Sequence, residues 1–163
     1  MRIEPHGERD IVITREFAAP RRLVFDAHTR PELLARWYGP HGWHLERCEI
    51  DLRVGGAWHY LLRGPDGASM RMRGTYLDLV APERIVTTES NVDCEVRAAH
   101  EAVGTTVLVE VDGRTTLTTT ARFPSRAVRD AVLSSGMERG VAQGFERLDA
   151  VLATTGRLGL SAT

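Results

Sequence analysis

His41, His44, Cys48 and His59 put metal-binding donor types into one short stretch of the chain, so zinc-type coordination is the first chemistry to consider. Their spacing matches no recognised zinc pattern. His41 falls in a turn, the two-residue period that starts at His44 turns Cys48 inward, and His59 alternates away from Tyr60. Three donors do not converge, and no metal is expected. Nucleophilic chemistry has less support. The chain holds no GxSxG word, and neither Cys48 nor Cys94 has a base beside it in sequence. The glycine-rich "RVGGA" (Arg53 to Ala57) lacks the spacing of a dinucleotide or phosphate loop and precedes a strand, so it reads as a tight turn. No cofactor is implied.

The elements around these residues are legible from periodicity. "DIVITREF" (Asp10 to Phe17) reads as a strand. Pro20 suits the first turn of a helix carrying Leu23, Val24 and Ala27. Thr29 is placed as the N-cap of a second short helix, with Pro31 and Glu32 in its first turn and Leu33, Leu34 and Trp37 as its buried side. From His44 the period is two. Cys48, Ile50 and Leu52 share one face of a strand, Trp58, Tyr60 and Leu62 one face of the next, and Met70, Met72 and Tyr76 one face of a third, opposite Arg71 and Arg73. Pro82 ends that strand and "RIVTTES" starts another. Asn91 to Gly104 is the least readable segment. "TTVLVEVDGRTTLTTTARF" is a hairpin turning at Asp112-Gly113, with Val107, Val109 and Val111 on one face, and with Leu117, Thr119, Ala121 and Phe123 opposite the outward Thr116, Thr118 and Thr120. Ser125 can cap a final long helix whose stripe is Val128, Val132, Val141, Phe145, Leu148, Val151 and Leu152, slipping near Gly136 and Gly140. "GRLGLSAT" at the end is expected to fray.

The order predicts an α+β fold: a curved antiparallel sheet of about six or seven strands around a long C-terminal helix, with two short helices after the first strand. The 163 residues suffice for a single domain, with its core at about 9–155. A formal net charge of −1 gives no basis for a nucleic-acid surface, and no stretch approaches the ~20 apolar residues of a membrane span. The charged start "MRIEPHGERD" does not read as a signal peptide, and two isolated cysteines do not make a disulfide scaffold, so a soluble, cytoplasmic protein with reduced thiols is expected. A homodimer is the default assembly.

Five words in order carry a resemblance over nearly the whole chain: "APRRLVFDAHTRPELLARWYGP" (Ala19 to Pro40), "DLRVGGAWHY" (Asp51 to Tyr60), "GPDG" with "MRGTY" (Met72 to Tyr76), "APERIV" (Ala81 to Val86) and "GMERGVAQGFERLDAVL" (Gly136 to Leu152). Together they resemble the heat-shock-protein-90 ATPase activator-like branch of the START-like (SRPBCC, helix-grip) superfamily. The resemblance implies a helix-grip fold, with space between sheet and helix for a small ligand. Two positions depart from the family's pattern: His28 and Val141 stand where tryptophan is common, and both exchanges remove bulk. The co-chaperone role of eukaryotic relatives needs a further chaperone-binding domain, for which 163 residues leave no room.

Within that framework the expected function is binding of a small apolar or aromatic ligand between the sheet and the C-terminal helix. The expected lining is Trp58, Tyr60, Met70, Met72 and Tyr76, with Cys48 on the same inner face, Val141 and Phe145 from the helix, and Trp37, Trp43 and His44 at the rim. For each residue alone, ordinary core packing is the better explanation of its type; the ligand reading rests on the group. Cyclase- and aromatase-type relatives imply an alternative, acid–base chemistry in the same space by His44, Glu46, Tyr60, Tyr76, Glu89 or Arg97. A third reading is an interaction domain with a collapsed cavity, meeting its partner through the outer sheet face or an edge strand.

Overall fold

The computed structural model describes residues 1–93 and 101–159, without the side chains of 157–159. Eight strands form one antiparallel sheet: β1 (Arg2–His6), β2 (Asp10–Phe17), β3 (His44–Ile50), β4 (Ala57–Arg63), β5 (Ser69–Val80), β6 (Arg84–Asn91), β7 (Ala102–Val111) and β8 (Arg114–Arg122). Their spatial order is β1-β2-β8-β7-β6-β5-β4-β3. The meander from β3 to β8 therefore comes back to lie beside β2. The two short helices α1 (Arg21–Thr29) and α2 (Pro31–Leu34) carry the chain from β2 to the opposite edge of the sheet. Two helices, α3 (Arg126–Ser134) and α4 (Met137–Gly159), follow β8.

The sheet has one more strand than the periodicity suggests, and the addition is β1. Its burial is almost nil, with only Ile3 partly covered. A charged edge strand held by backbone pairing to β2 carries no apolar alternation to read. At the other edge, a bulge between Leu45 and Arg47 shifts the register of β3 against β4. Leu52, placed on the inner face with Cys48 and Ile50, lies past the end of β3 and is 45% exposed. Thr29 is not the N-cap of α2. It closes α1, donating its hydroxyl to the Phe25 carbonyl at 2.9 Å, and Arg30 takes the cap position.

Ser125 caps α3 as its sequence position suggests, its hydroxyl oxygen accepting from the Val128 N–H at 3.3 Å. The single long helix is interrupted, however. Gly136 has φ +80°, a conformation that a continuous right-handed helix excludes, and the slippage of the apolar stripe marks that break. The last helix continues to Gly159, past the point where fraying is expected at Gly156.

The hairpin β7–β8 turns through Asp112 and Gly113, both with positive φ, as its two-residue turn requires. Val107, Val109 and Val111 lie on the outer face, where Val109 is 53% exposed, while Leu108 and Leu117 point into the core. The core between sheet and helices is built on Ile11, Phe17, Val24, Leu34, Leu62, Leu108, Leu117 and Leu148, all fully buried. From α4, Phe145 meets Phe17 edge to face with centroids 5.4 Å apart, and Leu148, Val151 and Leu152 continue the buried stripe. The long helix is seated directly on the core.

Candidate functional site

Under α1 and α2 the packing opens. A cavity of about 120 Å³ lies there, lined by His28, Leu34 and Tyr38 from the helical segment and by Trp58, Tyr60 and Tyr76 from β4 and β5. Ile85, Thr87 and Glu89 of β6 and Thr106 of β7 complete the wall. The strand residues converge because alternation turns Trp58, Tyr60 and Tyr76 to the same face, and Tyr76 pairs with Thr87 across the β5–β6 ladder. No residue of α4 lines this space, since its apolar stripe is occupied by Phe17, Trp37 and the core.

The wall is aromatic. Trp58 and Tyr60 lie 4.5 Å apart between ring centroids, and Tyr38 meets Tyr60 edge-on at 5.2 Å. The Trp58 indole lies across Gly74, its partner on β5. A Cβ at Gly74 would fall 2.6 Å from Nε1 of that ring and 1.9 Å from the Thr88 carbonyl oxygen. Nε1–H of Trp58 is buried without an acceptor among the described residues.

Three of the polar side chains in the wall, His28, Tyr60 and Tyr76, are neutral. His28 is half-buried on α1 and lines the cavity. Its Nδ1 is 2.8 Å from the Val24 carbonyl oxygen. A carbonyl can only accept, so Nδ1 carries the proton. Burial lowers the pKa of the ring, and the bond to Val24 offsets part of that effect. The imidazole is therefore neutral at pH 7, and Nε2 presents a lone pair. The Tyr60 and Tyr76 hydroxyls share a hydrogen bond. Burial raises the pKa of Tyr60 well above the usual phenol value and pushes Tyr76 up to about 12, so both stay protonated.

A second, open groove of about 480 Å³ lies between Pro40, His41 and Trp43 on one side and Gly136, Arg139, Gly140 and Gln143 on the other. The loop that forms its first wall is fastened to α4. Arg147 donates to the Gly39 and Trp43 carbonyls at 3.1 Å each and to that of Arg36 at 3.4 Å, and the His41 N–H donates to Gln143 at 3.0 Å.

Of the residues singled out by sequence, Trp58, Tyr60 and Tyr76 come together in the cavity wall and Trp43 lines the groove. Trp37 is buried behind the cavity, donating Nε1–H to the Ala27 carbonyl at 2.9 Å and touching His28 and Phe145. Met72 is buried, with the Tyr38 hydroxyl 3.6 Å from its sulfur. Met70, Cys48 and Val141 are half-buried against the core and line neither space. His44 is exposed at the start of β3. Among the acid–base candidates, Glu89 reaches the cavity, whereas Glu46 is exposed and paired with Arg63. Arg97 and Cys94 lie outside the described residues. His41 sits 3.5 Å from Glu146, and no three metal-ligating side chains gather among the described residues.

Periodicity passes over five cavity residues: His28, Tyr38, Ile85, Thr87 and Thr106. The exchange of a common tryptophan for His28 is the one sequence signal for them. A threonine in a strand needs no special reason, and Tyr38 sits in a turn without period.

The model of the family described as "Activator of Hsp90 ATPase homolog 1-like protein" matches residues 18–153. The chain belongs to this family. Solved structures agree with the architecture of this activator-homologue-like domain. A Rhodobacter sphaeroides protein is 27% identical, with a TM-score of 0.85 over 94% of this chain and 98% of its own. An Arthrobacter aurescens protein is 26% identical, with a TM-score of 0.83 over 94% of this chain and 91% of its own. A Silicibacter pomeroyi protein described as AHSA1, 24% identical with a TM-score of 0.72 over 90% of this chain and 99% of its own, shares the fold. No curated protein matches the sequence. No helix among the described residues is long and apolar enough to cross a membrane.

Proposed function

We propose that this domain binds one small, compact, largely apolar molecule in the cavity beneath α1 and α2. The observation that carries this reading is the wall itself: the packed rings of Trp58, Tyr60 and Tyr38, with Tyr76 beside them and convergent polar side chains from His28, Thr87, Glu89 and Thr106, a lining of the kind that ligand sites use. Family membership supports a ligand-binding domain in general terms.

Size narrows the occupant. Pockets for drug-sized molecules run from roughly 300 to 1,000 Å³, whereas an apolar cavity of about 150 Å³ takes benzene. A volume of about 120 Å³ suits a single ring with small substituents. A polyketide-length chain would have to extend out of the cavity mouth, which favours the smaller occupant. The expected position between the sheet and the long helix shifts accordingly to the short helices.

The test is native mass spectrometry of protein purified from cells, joined to a wall substitution. Wild type is expected to carry a small molecule that dissociates on collisional activation. Thr87→Phe, which projects a ring into the cavity, is expected to lose that molecule while keeping a wild-type circular dichroism spectrum. A wild-type protein that is ligand-free and takes up no single-ring probe at millimolar concentration would overturn the reading.

A further inference from the structure

We infer that the cavity selects a ring bearing a hydrogen-bond donor, of the phenol or enol type, whose O–H is received by Nε2 of His28. The inference rests on the binding function proposed above and adds the chemical class of the occupant.

The argument begins with the two edges of one imidazole. Nδ1 is committed, its proton donated back to Val24 within α1 at 2.8 Å. Nε2, on the far edge of the ring, has no hydrogen-bond partner among the described residues. With Nδ1 protonated in a neutral ring, Nε2 can only accept. A ligand group meeting it must therefore donate. An ether, a ketone or a carboxylate would bring lone pair to lone pair. A carboxylate would also meet the acidic Glu89 in the same wall and lose its own hydration.

The rest of the cavity fixes the body of the ligand. Its volume of about 120 Å³ admits one ring, and the aromatic side chains Trp58, Tyr60, Tyr76 and Tyr38 in its lining suit a flat aromatic one. Of the two side-chain nitrogen groups in the wall, Trp58 Nε1–H can only donate and His28 Nε2 can only accept, so His28 distinguishes a hydroxylated ring from a bare one. A phenol or a stable enol combines a planar body with a strong O–H donor.

Calorimetry with phenol, toluene and benzoate at pH 7.5 tests this in wild type and in His28→Leu. Phenol sheds hydration that toluene lacks, so it binds wild type as tightly as toluene only if its hydroxyl finds an acceptor inside. Phenol is expected to bind at least as tightly as toluene, and benzoate not measurably. In His28→Leu the phenol-to-toluene affinity ratio is expected to fall about tenfold, toluene binding being retained. In wild type, phenol but not toluene is expected to move the His28 Nε2 resonance in nitrogen NMR, a readout that needs no variant. If toluene binds tighter than phenol, or if the Nε2 resonance ignores phenol, the inference falls while the binding function stands. If neither ring binds, the cavity reading falls and the inference with it.

Discussion

His28 makes a pH-dependent contribution that can be read without any ligand. Burial holds its folded-state pKa below the ordinary 6.5. Between those two values the unfolded chain binds a proton that the native state refuses, so stability falls as pH falls. The contribution is complete above pH 6.5 and is lost as pH drops toward the lowered native value. Asp10 and Asp93, held below the usual carboxylate range by Arg122 and Arg71, act at lower pH. Denaturant midpoints measured from pH 7.5 to 5.5 are expected to decline in wild type and to change less in His28→Leu. Cys48 offers a second residue-scale check. Burial pushes its thiol from 9.0 to about 11, which cuts the thiolate fraction at pH 8 about a hundredfold. In a Cys94→Ser background, alkylation of the folded protein is expected to be slower than that of the urea-unfolded protein by about that factor.

At the scale of elements, the approach of β4, β5 and β6 depends on one missing side chain. Trp58 fits across β5 because Gly74 has no Cβ, and the Thr88 carbonyl occupies the space that a Cβ would need. Backbone cannot yield as a flexible side chain can. Gly74→Ala is expected to cost about 3 kcal/mol, seen as a lower urea midpoint with an unchanged slope. Gly74 shows how far sequence patterning reaches. Alternation places Trp58, Tyr60, Met72 and Tyr76 on the inner face, and all four are buried. It does not reveal that the Trp58 ring crosses to a neighbour's glycine, because that contact depends on register between strands. The same limit explains β1, whose pairing is carried mainly by backbone groups, and Thr29, whose hydroxyl bonds back to the Phe25 carbonyl. The site is less legible than the fold. Its sheet wall follows from period two, but its roof depends on how two short helices and a turn are laid over that wall.

For the molecule as a whole, the position of the cavity decides which bulky substitution matters. The long helix is committed to packing through Phe145, Leu148, Val151 and Leu152, and its N-terminal half faces the loop at 36–43 that Arg147 fastens. Val141, where the family resemblance leads to an expectation of tryptophan, is half-buried against the core and is not part of the cavity wall. It lines neither the cavity nor the groove, so an indole there is not expected to enter the cavity. Val141→Trp is therefore expected to leave the affinity for phenol or toluene within about twofold of wild type, inside the ±0.5 kcal/mol typical of changes away from a site. Thr87→Phe is expected to abolish binding of both rings. Calorimetric titration of the two variants side by side separates the two placements. Loss of binding in Val141→Trp with retention in Thr87→Phe would move the ligand to the long helix, and the opposite pattern keeps it beneath α1 and α2.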